Sequence, residues 1–261
     1  MPTLILDPGR ARKELGEMLN EELLGVRIES GLDPENPSET IISLVIVRRI
    51  SGKVCIFDVL KSPSILHDDH FQALMARDRP LKVMFHPEHD SKLLWQFSRL
   101  RLHGVFDPQT LYLVKESIEM KLPTRKLHRK NLTDLCRLCH VECHYDKRLV
   151  NKMLRDNPSL FMERPCSDRL LNILMESAKC LILLYEETKC LLDVAVLQEK
   201  YSQMLDECLY GGIQGSETSH LKRQKMERNY YETKRFRKKN GSQALTKGDK
   251  ELLRRGRLTC F

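Results

Sequence analysis

Apolar residues recur along this chain with two spacings, one typical of strands and the other typical of helices. Short runs rich in β-branched residues predict strands, and the run at 41–60 is divided by Ser51-Gly52, a pair that favours a hairpin. Apolar residues three and four apart predict helices between these runs. The predicted strands cover 3–6, 23–30, both halves of 41–60 and 81–85, and the predicted helices cover 8–20, 67–77 and 87–100.

Beyond residue 107 the pattern is helical throughout. Strands that alternate with helices, followed by helices alone, predict an α/β fold in which a mixed sheet is layered with helices. A basic loop is expected at 121–130. The predicted helices of this second part cover 108–117, 131–142, 146–155, 167–193 and 194–209.

The helix predicted at 167–193 contains a lysine in an unexpected place. Its apolar positions define one face that is expected to lie in a core. Lys179 lies at the edge of that face, where an unpaired ammonium would be costly to bury. An acidic partner is therefore expected. The apolar positions are Leu171, Leu174, Ala178, Leu181, Ile182 and Tyr185.

The formal net charge of +8 is concentrated at the C-terminal end. Residues 211–261 contain 14 Lys or Arg and 5 Asp or Glu, so the rest of the chain has a net charge of −1. Few apolar residues and dense charge predict a disordered tail at 212–261. Its basic clusters, with Tyr230, Tyr231 and Phe236 between them, could neutralise phosphates and stack on bases. A solvated extension or a nuclear-import signal would look the same. The candidate nucleic-acid-binding residues are Lys222, Arg223, Lys225, Lys234, Arg235, Arg237, Lys238 and Lys239.

Nine cysteines, an odd number spread among helical patterns, favour a reducing intracellular setting over a disulfide framework. The N-terminus does not resemble a secretory signal, and no apolar run is long enough to span a membrane. We expect a cytoplasmic protein, with a nuclear location as the alternative that the basic tail suggests.

The stretch CRLCHVECH at 136–144 combines five potential metal ligands, Cys136, Cys139, His140, Cys143 and His144. The spacing is compatible with a zinc site and with haem attachment. Cys136 and Cys139 also follow the helical spacing of Leu132 and Leu135, and no second pair of ligands is visible downstream. We therefore favour buried cysteines over zinc, and zinc over haem.

Two carboxylates at the ends of predicted elements, Glu29 and Asp90, could serve a divalent-metal nuclease. Asp90 lies with Glu88 and His89 in the first turn of a predicted helix, where acids also stabilise the helix dipole. A serine nucleophile elbow, a phosphate-binding loop and a dinucleotide fingerprint are all absent from the sequence.

Several of these stretches resemble, in order, the 3′–5′ exonuclease domain of the DEDD superfamily, the ribonuclease D-like group. They are LLGVRIESG, the hairpin ISLVIV with KVCIFDVL, LKVMFHPEHDSKLL, LHGVFDPQTLYLV and DNPSLFMERPCSDRLLNILMESAKCLILLYEE. The resemblance covers about residues 3–195 and implies a ribonuclease H-like fold. It divides the chain into an exonuclease-like domain at 1–195, a C-terminal helix at 196–211 and the basic tail at 212–261.

Active members of that superfamily bind two divalent metals through four acids. By resemblance, the Asp-x-Glu of the first core strand corresponds to Arg27 and Glu29, and the acid of the second motif to Asp90. The closing Tyr-x3-Asp corresponds to Met175 and Lys179. Two acids are replaced by cations and the Tyr is lost. The resemblance therefore implies an inactive domain with no metal or other cofactor, in which Arg27 and Lys179 form ion pairs with Glu29 and Asp90 and close the pocket. Glu176 is expected on another face.

Within the superfamily the sequence is most similar to the exonuclease-domain adaptors of piRNA biogenesis, which carry an Sm-like domain ahead of the nuclease fold. That similarity implies an RNA-binding or scaffolding adaptor in germ granules, whose partners are RNA, a second copy of the chain, and PIWI-pathway or Tudor-domain proteins. The alternatives are a residual nuclease that uses Glu29 and Asp90 with one metal, and a scaffold that binds only proteins.

Overall fold

The computed structural model describes residues 2–211, in which a six-stranded mixed sheet is flanked by helices. The order of strands across the sheet is β1-β4-β3-β2-β5-β6. The β2–β3 and β3–β4 pairs are antiparallel and the remaining pairs are parallel. The strands are β1 (Thr3–Ile5), β2 (Leu23–Leu32), β3 (Thr40–Arg49), β4 (Val54–Asp58), β5 (Leu81–Val83) and β6 (Val105–Phe106). The predicted α/β class and the hairpin across Ser51-Gly52 are both confirmed.

Helices connect the outer strands and account for most of the chain after β6. They are α1 (Pro8–Met18), α2 (Asp69–Ala76), α3 (Glu88–Ser98), α4 (Pro108–Met120), α5 (Leu132–Leu138), α6 (Lys147–Asp156), α7 (Asp168–Thr188) and α8 (195–211). Short 3-10 helices cover Pro63–His67, Thr124–Lys126 and Lys189–Asp193. In the described part of the chain, no helix is both long and apolar enough to cross a membrane.

Two elements that are shorter than the sequence predicts end at or just before a residue with a left-handed backbone. The helix predicted at 131–142 ends at Leu138, and His140 adopts a left-handed backbone with φ of 55°. That conformation breaks the helical hydrogen-bond pattern, so residues 139–146 form an irregular loop. The strand predicted at 81–85 is paired only over Leu81–Val83, and another left-handed residue, His86, follows it.

The central strands are buried on both faces, which explains their continuous apolar runs. Leu44 and Ile46 of β3 pack in one apolar cluster with Leu170 and Leu174 of α7. The alternating residues Val45 and Val47 belong to the main core, which α1 and α2 also enter.

A buried ion pair fastens the segment before α7 to the sheet. The guanidinium of Arg164 donates from Nε and Nη2 to the two carboxylate oxygens of Asp58, at 2.6 and 2.9 Å, and Nη2 also lies 2.8 Å from Ser43 Oγ. Asp58 is fully buried at the end of β4. A buried carboxylate needs such a partner, so this pair holds the segment before α7 against the end of β4.

Helix α7 lies on β2 at a glycine. A Cβ atom on Gly25 would lie 2.8 Å from the carbonyl oxygen of Ala178 and 3.3 Å from a side-chain carbon of Ile182. Real Cβ atoms do not approach backbone oxygen so closely, so only glycine allows this helix to rest directly on the strand.

We expect Gly25→Ala to lower the free energy of unfolding by about 1–3 kcal/mol, because α7 must move away from the sheet. Urea unfolding followed by circular dichroism measures the change. Gly211→Ala is the matched control, because a Cβ there would meet no atom within 4 Å. Equal stability of the two variants would contradict the proposed close packing.

Candidate functional site

The site predicted from the sequence begins with two charged residues on one face of β2. Arg27 and Glu29 are two positions apart, so their side chains point to the same side of the sheet. Arg27 donates to Glu29 Oε1 from Nη2 at 2.8 Å and from Nε at 3.1 Å. Burial alone would lower the pKa of Arg27, but the attraction of Glu29 outweighs it, so the pKa is raised. Arg27 is therefore a fixed positive charge at this position.

Asp90, in the first turn of α3, lies near this pair without bonding to it. Its carboxylate forms no hydrogen bond or ion pair with the residues that the structure describes. Burial raises the pKa of Asp90 to about 7, against the opposing effect of Arg27 and with added repulsion from Glu29 and Asp107. A substantial fraction of this carboxyl is therefore protonated at neutral pH.

The prediction that Lys179 pairs with Glu29 and Asp90 is wrong. Lys179 Nζ lies 3.9 Å from Oε2 of Glu176, one turn earlier on the same helix, and both side chains are partly buried. The sequence analysis expected Glu176 on another face, but positions three apart on a helix are neighbours. Met175 packs against the apolar cluster that contains Leu44. The acidic partner of Lys179 is therefore local, and Asp90 has no cation bound to it.

No protein-family model matches the sequence, and no curated protein matches it. Solved structures do match. Trypanosoma brucei RNase D superposes with a TM-score of 0.64 at 17% identity, over 80% of this chain and 72% of that chain. The Aedes aegypti Nibbler EXO domain gives 0.56 at 17% identity, over 79% of this chain and 94% of that one. For RNase D of T. brucei in complex with RNA U12 the TM-score is 0.57 at 16% identity, and the match spans 71% of this chain and 61% of that chain.

The chain has an RNase D-like exonuclease fold. Likeness at these identities establishes the fold, so the chemistry of the site has to be judged from its own residues.

The residues of this exonuclease-like site do not fit two divalent metals. Such ions need several oxygen ligands, mostly carboxylates. Here Oε1 of Glu29 already accepts two hydrogen bonds from Arg27. Lys179 and Met175 stand where the resemblance expects an acid and a tyrosine.

A cavity of about 310 Å³ lies beside Arg27, and its lining does not include Glu29, Asp90 or Lys179. The lining includes four cationic side chains and no acid. Three of these cations, Arg27, Arg129 and Lys130, pair with Glu29, Glu88 and Glu116 outside the lining, and with Lys147 they still present their positive charge to the cavity, which favours anions. The polar and charged residues of the lining are Arg27, His86, Gln109, Arg129, Lys130, Asn131, Tyr145 and Lys147.

Two lining residues have buried polar atoms without a hydrogen-bond partner among the described residues. They are Gln109, through both side-chain amide atoms, and His86, through Nε2. Gln109 is only 2% exposed. Its backbone N–H donates to Asp107, the N-terminal cap of α4, which anchors this residue at the cavity wall. Leaving such groups unpaired is costly, so they indicate a place for a polar ligand.

Tyr145, in the loop before α6, and Lys147, the first residue of α6, line the cavity and were not predicted from the sequence. Arg27 lies over the ring of Tyr145, 5.7 Å from its centroid, an arrangement that favours a cation. Burial, together with repulsion from Arg27, lowers the pKa of Lys147. Arg129 and Lys130 lie in the basic loop that the sequence did predict, although nothing in the sequence joined that loop to β2.

The candidate residues of the basic tail lie outside the described residues. They are Lys222, Arg223, Lys225, Lys234, Arg235, Arg237, Lys238 and Lys239.

The cysteine-rich stretch is divided between several environments. Cys136 is fully buried, as predicted, whereas Cys139 and Cys143 are half-buried and packed against the main core. No second pair of ligands was expected downstream, and one further thiol, that of Cys180 in α7, meets Cys136 and Cys143.

We expect Asp90→Asn to stabilise the fold at alkaline pH. The pKa of Asp90 in the fold, about 7, is above its ordinary value of 3.8, so the folded chain holds this proton more tightly than the unfolded chain does. The stabilisation from the protonated carboxyl is therefore complete below about pH 4 and is lost as the pH rises through 7. The variant should therefore gain on the order of 1–3 kcal/mol relative to the native chain between pH 5 and pH 8. Urea unfolding in EDTA measures this gain. Asp156→Asn, at the exposed end of α6, is the control and should show no such change.

Proposed function

We propose that this chain is a catalytically inactive exonuclease-like domain that binds single-stranded RNA through the cationic cavity beside Arg27. The observation that carries the proposal is the composition of the cavity wall, which has four cationic side chains and no acid, and in which Arg27 stands where the resemblance expects an acid. The RNA-bound state of T. brucei RNase D, which shares this fold, supports RNA as the ligand.

Loss of hydrolysis follows from the charges of the site. A two-metal nuclease uses its ions to activate water and to stabilise the charge that develops on the phosphate. Here the Arg27 guanidinium supplies positive charge, but it cannot lower the pKa of a bound water as a metal does. A phosphate can therefore be bound at this site without being attacked.

Binding of RNA follows from the same charges. Arg129, Lys130 and Lys147 can contact phosphate oxygens, and release of counterions would add a salt-dependent free energy. Gln109 and His86 offer a polar surface that could pair with a base edge or a ribose hydroxyl. The cavity can therefore contact both the backbone and one nucleotide.

The cellular role that we propose is that of an adaptor. The resemblance to the exonuclease-domain adaptors of piRNA biogenesis supports such a role in the cytoplasm, with self-association and PIWI-pathway or Tudor-domain partners.

We expect the purified full chain to leave single-stranded RNA intact in Mg²⁺ or Mn²⁺, because the carboxylates cannot hold the metals. Gel electrophoresis of end-labelled RNA measures degradation, and Asp156→Ala serves as the matched control for Asp90→Ala. Stepwise 3′–5′ degradation that is lost in Asp90→Ala and kept in Asp156→Ala would show an active enzyme.

We expect Arg129→Glu/Lys147→Glu to weaken binding of single-stranded RNA by roughly tenfold or more at physiological salt, because two phosphate contacts become repulsive. Fluorescence anisotropy measures affinity. Arg10→Glu/Lys13→Glu, on exposed positions of α1, makes the same change in net charge away from the cavity.

Deletion of residues 212–261 distinguishes RNA binding by the cavity from RNA binding by the tail. The shortened chain should bind RNA with a smaller salt dependence and should remain sensitive to Arg129→Glu/Lys147→Glu. If deletion abolished binding, or if the two charge-reversal pairs behaved alike in the full chain, recognition by the cavity would be excluded.

A further inference from the structure

Three thiols from separate parts of the chain converge beneath the loop at 139–146. Cys136 belongs to α5, Cys143 to the loop and Cys180 to α7, and their Sγ atoms all lie within 4.8 Å of one another. The Sγ atoms of Cys143 and Cys180 are 2.9 Å apart. Cys136 and Cys180 are fully buried and Cys143 is half-buried.

The arrangement matches the geometry of a tetrahedral thiolate site. A zinc ion with Zn–S bonds of about 2.3 Å places its sulfur ligands about 3.8 Å apart. The separations seen here, 2.9 Å for one pair and at most 4.8 Å for any pair, bracket that value. Small side-chain rotations would bring the three sulfurs to equal distances from one ion.

The number and origin of the thiols favour a metal over a disulfide. A disulfide uses two cysteines, whereas here a third sulfur from another helix lies within the same small volume. Thiolates are soft ligands that select zinc among the abundant divalent metals. A three-thiolate set leaves one tetrahedral position for water or for an added ligand.

We propose that Cys136, Cys143 and Cys180 form a three-thiolate zinc site that fastens the irregular loop to α5 and α7. Each thiol would release its proton to solvent on binding. The three cysteines are not part of the lining of the RNA cavity, although Tyr145, two residues after Cys143, is.

The consequence of the site is local order. The loop at 139–146 contains no helix or strand, and Thr133 Oγ1 donates to the carbonyl of Tyr145 at 3.0 Å. Zinc bound at Cys143, two residues before Tyr145, would hold the loop at a second position. Tyr145 would then be held against Arg27.

The test uses the full chain, purified with a reductant that does not bind metal and without added RNA. We expect about one zinc per chain by elemental analysis, and charge-transfer absorption from thiolate ligands when Co²⁺ replaces zinc. Cys143→Ser should weaken zinc binding by at least about 100-fold, since even loss of an outer-shell partner can cost that much. Cys166→Ser removes a buried thiol from another cluster and should leave zinc content unchanged.

Cys143 is the preferred position for the variant, because it lies in a loop and is half-buried, so the chain should still fold; circular dichroism checks this. The proposal is overturned if the reduced native chain holds no stoichiometric zinc, or if Cys143→Ser and Cys166→Ser retain it equally. A Cys143–Cys180 disulfide in unreduced protein, together with no zinc binding in reduced protein, would also overturn it. Zinc content is measured without RNA, so failure here leaves the RNA proposal intact.

Discussion

The close approach of α7 to β2 at Gly25 determines the geometry of both sites. With no Cβ on that residue, the backbone of Ala178 rests directly on the central strand. The neighbours of Ala178 on the helix then have fixed directions. Cys180 enters the core next to Cys136 and Cys143, and Lys179 stays at the rim with Glu176. A larger residue at position 25 would therefore change the thiol cluster and the wall of the candidate site together.

Replacing metals by protein cations changes what the site can do. Arg27 neutralises Glu29, and at the cavity wall Arg129 and Lys130 pair with Glu88 and Glu116, whereas Lys147 forms no ion pair with the described residues. Asp90 forms no ion pair with the described residues, and burial raises its pKa to about 7. Under the proposed function, the site would bind phosphate without breaking its ester bonds.

The main architecture could be predicted from the sequence because the central strands are rich in apolar residues. Glu29 and Asp90 were found as acids at the ends of predicted elements, whereas Arg27 was assigned to the site only by the resemblance. The pairing of Lys179 with Glu176 was not predicted. Whether Lys179 reaches Glu176, one turn away, or an acid across the site depends on side-chain conformation, and residues three apart on a helix are already neighbours. Cys180 was missed for another reason. It lies in an apolar helical pattern in which cysteine looks like any small buried residue, and only the tertiary fold brings it to Cys136. The basic loop was recognised as basic, but its position beside β2 depends on contacts far apart in the chain.

Arg27 and the 139–146 loop connect the two proposals physically. Glu29 holds the guanidinium from one side and the ring of Tyr145 covers it from another, so its position depends on a loop with little regular structure of its own. A free loop of this kind would sample many conformations, and the ordering of each residue costs free energy that binding would have to supply. An ion bound at Cys143 would impose that order before any RNA arrives. The thiol cluster would thus act on RNA affinity without contacting RNA, by preorganising the aromatic and cationic wall of the cavity.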